Sequence, residues 1–122
     1  MPELELEPAQ ISGAPGIAVS GELDIATAPE LVEALDAAVA ASTGAFVVDL
    51  CDVTFLDSTA VNVLLRTRAL LGREDRALVV VCPHGPVRRL FELAGVSDLF
   101  TLFESREAAA RSLVPADPSS PQ

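Results

Sequence analysis

The stretch AFVVDLCDVTFLDSTAVNVLLRTRALLGREDRALVVVC, residues 45–82, decides the fold. Ala45 to Leu50 is a short apolar run of the kind that forms a buried strand. From Asp57 to Leu71 the period changes, and Val61, Leu64 and Leu65 recur at helical spacing until Gly72. Ala77 to Cys82 is again continuously apolar, as expected of a strand with both faces covered. A strand, a helix and a second buried strand in this order make a parallel crossover unit.

The same alternation extends in both directions. Upstream, Leu4 and Leu6 alternate with Glu3, Glu5 and Glu7, which predicts a half-exposed edge strand. Ser12 to Gly16 reads as a turn and Ile17 to Ser20 as a second strand, so the two form a hairpin. Thr27-Ala28-Pro29-Glu30 matches a capping box with proline in the first helical turn. Leu31, Ala34, Leu35, Ala38 and Val39 then mark a helix that Gly44 closes. Downstream, Gly85-Pro86 opens a helix with Val87, Leu90, Phe91 and Ala94 inward and Gly95 at its end. Leu99 to Leu102 reads as a short strand and Ser105 to Leu113 as a last helix. The expected fold is a single α/β domain over residues 1–114. Its sheet is mostly parallel, mixed at the N-terminal edge, with four or five strands and about four flanking helices. Residues 115–122 are Pro/Ser-rich and expected to be a disordered tail.

Composition narrows the function. The chain has 122 residues, suited to one domain, and 50% of them are hydrophobic, enough for a core. It holds 18 acids against 8 bases, for a formal charge of −10, and every base is arginine. Residues 1–65 carry eleven of the acids and no base, while residues 66–122 carry seven acids and all eight arginines. This acidity argues against nucleic acid and against an anionic membrane surface, both of which select cationic footprints. The segment Met1 to Glu5 is acidic and lacks the order of a signal peptide, so a cytoplasmic location is expected. Cys51 and Cys82 are then expected reduced and packed. With one histidine, His84, and no Cys-x-x-Cys, neither a zinc site nor any other metal or cofactor is indicated.

Function in an open α/β sheet collects where strands end and helices begin. Asp57, Ser58 and Thr59 are three consecutive helix-capping residues at such a point. Asp57 alone suffices as the cap. Ser58 and Thr59 are then either first-turn polar residues or spare hydroxyls open to modification. A phosphate there would meet the positive end of the helix. A nucleophilic serine needs a base, and His84 follows a different strand. No Gly-x-Ser-x-Gly elbow surrounds Ser58. No Gly-rich phosphate loop is present, and a phospho-aspartate receiver would need a lysine that the chain lacks. The reading is therefore non-enzymatic, with no catalytic residue. Asp24, Asp52 and Asp57 are expected near Ser58, where they favour a basic partner.

These residues resemble a known family. Gly21-Glu22-Leu23-Asp24-Ile25-Ala26-Thr27 is similar to the second-strand signature of STAS domains. Asp57-Ser58-Thr59-Ala60-Val61-Asn62-Val63-Leu64-Leu65 resembles their phosphorylation segment, and Val81 to Val96 their third-helix region. The resemblance covers about residues 3–113 and points to free-standing anti-sigma factor antagonists. It implies that Ser58 is phosphorylated, with Thr59 a lesser candidate. It also implies two partners, an anti-sigma factor with serine kinase activity and a serine phosphatase. The unphosphorylated form would bind the anti-sigma factor and free a sigma factor. Gly21, Glu22, Asp24, Asp57, Ser58, Thr59, Ala60 and Asn62 would shape the partner surface. Ala60 and Asn62 stand where the family often has glycine. The other reading within the family is a non-switching subunit of a lipid-transport or stress-signalling assembly.

Overall fold

The computed structural model describes residues 4–113. The expected tail at 115–122 lies outside them. Strand β1 (Leu4–Ile11) turns into β2 (Ala14–Leu23), followed by α1 (Ala28–Ala40), β3 (Phe46–Leu56) and α2 (Ser58–Gly72). Then come β4 (Leu78–Val81), α3 (Pro86–Leu93), β5 (Thr101–Phe103) and α4 (Arg106–Leu113). The sheet order is β1-β2-β3-β4-β5, with β1 antiparallel to β2 and every other pair parallel. This is the mixed, mostly parallel sheet expected from the sequence.

The two faces of the sheet are unequally covered. Phe46, Val48 and Leu50 of β3, with Leu78, Val80 and Cys82 around β4, face the larger core together with Leu31 and Leu35 of α1, Leu64 and Leu71 of α2 and Phe91 of α3. Phe91 meets Phe100 edge-on at 5.4 Å, which fastens α3 to the chain after it. The alternate residues Val47, Val79 and Val81 face a smaller cluster with Ile11 and Ala109 of α4. Asp49 belongs to that second face and is only 3% exposed. Its carboxylate pairs with Arg106, the first residue of α4.

Several boundaries differ from the sequence expectation. The turn between β1 and β2 is confined to Ser12–Gly13, and β2 begins at Ala14. Gly16 is therefore a strand residue paired with Val47, where a Cβ would fall 2.1 Å from the Val47 carbonyl oxygen. Glycine is required there because two backbones touch. Strand β3 runs to Leu56, six residues past the apolar run, because β2 continues beside it through Ser20, Gly21, Glu22 and Leu23. Two register shifts interrupt this ladder, and Gly21 at the second one has φ of 102°, a value that favours glycine. Ser97–Leu99 is a 3-10 turn, so the last strand starts at Thr101 instead of Leu99. Ala94, expected inward, is exposed. At the far end of the sheet, Arg76 donates to the carbonyls of Gly44 (2.7 Å) and Val39 (3.1 Å) and to Ser42 Oγ (3.0 Å), which ties the end of α1 to the start of β4.

Two outcomes follow. Gly16→Ala should destabilise the domain by roughly 3 kcal/mol or more in urea unfolding, because β2 must separate from β3 to admit the methyl group. The second concerns acid. Burial pushes the Asp49 carboxyl up, but hydrogen bonds from Cys51 and Arg106 outweigh it and hold it below its ordinary value. A carboxyl depressed in the folded state stabilises fully above its unfolded value and loses that contribution as pH falls through the folded one. Arg106→Gln should therefore lower the melting temperature at neutral pH, and the gap to wild type should close as pH falls below the ordinary carboxylate value of about 4.

Candidate functional site

The Gly21–Thr27 segment and the start of α2 lie side by side where β2 and β3 end. The link is a backbone bond, from Asp57 N–H to the Leu23 carbonyl at 3.0 Å. It brings two aspartates of the sequence expectation, Asp24 and Asp57, onto adjacent turns.

Each aspartate organises its own turn. Asp57 Oδ1 accepts from Thr59 N–H (2.9 Å) and Ala60 N–H (3.2 Å), so Asp57 is the N-cap of α2, as expected. Asp24 Oδ1 accepts from Ala26 N–H (2.9 Å) and Thr27 N–H (3.0 Å). The capping box expected at Thr27–Glu30 does not form, because the Thr27 side chain makes no cap bond to α1. Its hydroxyl instead donates to the Glu22 carbonyl and accepts from Asp24 N–H, both at 2.9 Å. Thr27 is buried and closes the loop from within. Sequence spacing could not separate these two uses of one hydroxyl, since both need a threonine just before a helix.

Ser58 is the first residue of α2 and is exposed. Asp57 holds the amides of Thr59 and Ala60, so the cap does not require the Ser58 hydroxyl. Thr59 is half-buried, Ala60 buried and Asn62 exposed. Asn62, one helical turn on from Ser58, shares its face. Gly21 is half-buried and accepts from the Thr54 hydroxyl at 3.3 Å, and Glu22 is exposed beside it. Asp52 does not join the group. It lies 3.7 Å from the Arg106 guanidinium.

The sequence reading missed the apolar part of the site. A cavity of about 250 Å³ opens beside Ser58, lined by Leu56, Val61, Leu90, Leu93 and Ala94. Leu93 is 77% exposed, and Ile25, on the neighbouring Gly21–Thr27 segment, is 75% exposed. Together with the cavity they add apolar surface beside Ser58. The signal was available: Leu93 falls off the Val87, Leu90 and Phe91 stripe that faces inward on α3. His84 takes no part in the site. Its Nε2 is 2.9 Å from a Glu104 carboxylate oxygen on the exposed surface. Among the described residues, no group of three or more histidines, cysteines or carboxylates is placed to hold a metal ion.

The chain can now be set beside known proteins. The STAS domain family model matches residues 6–109. The anti-sigma-B factor antagonist of Staphylococcus aureus is 34% identical over 91 residues, which is 75% of this chain and 84% of that protein. The crystal structure of an anti-sigma factor antagonist from Mycobacterium paratuberculosis superposes with a TM-score of 0.79 at 34% identity, covering 91% of this chain and 97% of the other. Unphosphorylated SpoIIAA shares the fold, with a TM-score of 0.70 at 18% identity over 91% of this chain and all of that one (100%). The match extends across both signature segments, from the Gly21–Thr27 loop to the helix that Ser58 begins, and the chain belongs to the STAS-domain family.

Proposed function

We propose that this protein is an anti-sigma factor antagonist that works by partner switching, with the Ser58 hydroxyl as the switch. The observation that carries the reading is the division of labour at the start of α2. Asp57 caps the helix, which leaves an adjacent serine exposed and free of structural duty. The named relatives supply the biological role, and the exposed leucine and isoleucine around the serine supply a surface for it.

The partner is an anti-sigma factor with serine kinase activity. It docks over Ser58 with an apolar side chain in the cavity between α2 and α3. Basic groups of the partner face Glu22 and the carboxylates of Asp24 and Asp57. Phosphorylation of Ser58 adds about −1.5 to −2 charge at the centre of that surface. A partner shaped for a neutral hydroxyl next to two aspartates then meets an unpaired charge on closing, so binding is lost. A serine phosphatase restores it. In this reading the chain supplies a phosphoacceptor and no catalytic group: His84 pairs with Glu104 instead of Ser58, and the chemistry belongs to the kinase and the phosphatase. Among the described residues no helix is long and apolar enough to cross a membrane, which suits action in the cytoplasm.

Two measurements check this with the cognate anti-sigma factor. By calorimetric titration, Ser58→Ala should bind as wild type does and take up no phosphate from the kinase, while Ser58→Asp should lose detectable binding. Equal affinity for Ser58→Asp would overturn the switch. Leu93→Asp should weaken binding roughly tenfold or more, as expected for an apolar anchor, without lowering thermal stability, because its side chain is already exposed.

A further inference from the structure

Among the described residues, the second face of the sheet is covered by one helix, α4, which lies against β1, β4 and β5. Among the same residues that helix has little to hold it. It is 8 residues long, well short of the roughly 12–15 at which an isolated helix becomes marginal in water. Its fully buried side chain is Ala109, with Ala110 and Leu113 half-buried. The stronger fastenings are polar. Arg106 donates to the buried Asp49 carboxylate and sits 3.7 Å from Asp52. Ser12, in the β1–β2 turn, donates to the Ala110 carbonyl at 3.2 Å. An arginine at the positive end of a helix opposes the helix dipole, so its position answers to Asp49 and not to α4.

We propose that α4 is a strap that opens as a unit while the rest of the domain stays folded, and that Arg106 is its fastening. The strands beneath α4 are held from their other face by the larger core, so its release leaves them in place. Release also admits water to Asp49, so opening strands no charge. Loss of Arg106 has the opposite consequence for the closed state. It leaves a carboxylate buried without its cation beneath a docked helix, which drives α4 off.

The chain carries a reporter for each face. Cys51 packs against the α4 cluster, and Cys82 lies in the larger core. Burial, then the Asp49 carboxylate, pushes the Cys51 thiol up to about 12, and burial pushes Cys82 up to about 11. Both thiols are therefore suppressed in the closed state, and opening of the strap releases Cys51 alone.

The test uses the full chain under native conditions, with hydrogen exchange and iodoacetamide alkylation both read by mass spectrometry. The amides of α4 should exchange at least about tenfold faster than the β4 amides. Arg106→Gln should raise both α4 exchange and Cys51 alkylation further, with the α4 amides still exchanging well ahead of those of β4. The sign is diagnostic. The Arg106 charge lowers the Cys51 pKa, so its loss with α4 still docked would slow alkylation. Equal protection of α4 and β4 would show that α4 opens only with the whole domain. Slower Cys51 alkylation in Arg106→Gln would show that Arg106 does not fasten it. Either result overturns the proposal.

Discussion

The close parallel contact between β2 and β3 is the constraint on which the rest of the structure depends. At its start, Gly16 lies so near the Val47 carbonyl that no side chain fits between them. At its end, Leu23 pairs with Leu56 and receives the Asp57 amide. Along its length, two register shifts let β2 and β3 run on past β4, which pairs with β3 only from Phe46 to Asp49. This extension carries both loops of the candidate site beyond the end of β4, with β1 accompanying β2 as far as Gly21. The Gly21–Thr27 loop and the start of α2 are neighbours because their strands are, and the site inherits its geometry from that ladder.

The strands and helices that bury long apolar runs were legible in the sequence, since β3, β4, α1 and α2 depend on periodicity and little else. The Asp57 cap was legible for a similar reason: an acid before two hydroxyl residues and an apolar helix has one good local solution. What escaped depended on partners distant in sequence. The extension of β3 through Cys51–Leu56 lies beyond the continuous apolar run, and although Cys51 to Phe55 alternates apolar and polar residues, its length is set by β2 continuing beside it. Thr27 looked like a helix cap because nothing local reveals that the Glu22 carbonyl would claim its hydroxyl. The cavity beside Ser58 is built by α2 and α3, from residues about thirty apart in the chain, and no spacing rule joins them.

The charge asymmetry of the sequence also has a structural meaning. The basic half returns to pair with the acidic half. Arg66 bridges Asp36 at 2.9 Å, and Arg106 meets both Asp49 and Asp52. These pairings remove three aspartates from the account of a free acidic surface. Asp24 and Asp57 remain near Ser58, engaged by backbone amides and by no arginine. The acidity at the site is thus a matter of two ordered carboxylates and the exposed Glu22, and much less of net charge.

The position of Asp57 also decides how a phosphate on Ser58 would act. A phosphate at a helix start ordinarily gains by taking the free amides there. Here Asp57 already holds those of Thr59 and Ala60, and its carboxylate stands one residue from the new charge. To take the amides, the phosphate would have to displace a cap that contributes about 1 kcal/mol to the helix. It would also bring two anions together at short range. Keeping Asp57 in place with the phosphate turned outward to solvent would avoid both costs. A modification held that way would leave the fold as it was and alter what the surface presents. The proposed switch would then need no conformational change in its own domain, because its two states would differ in the charge that a partner must accept.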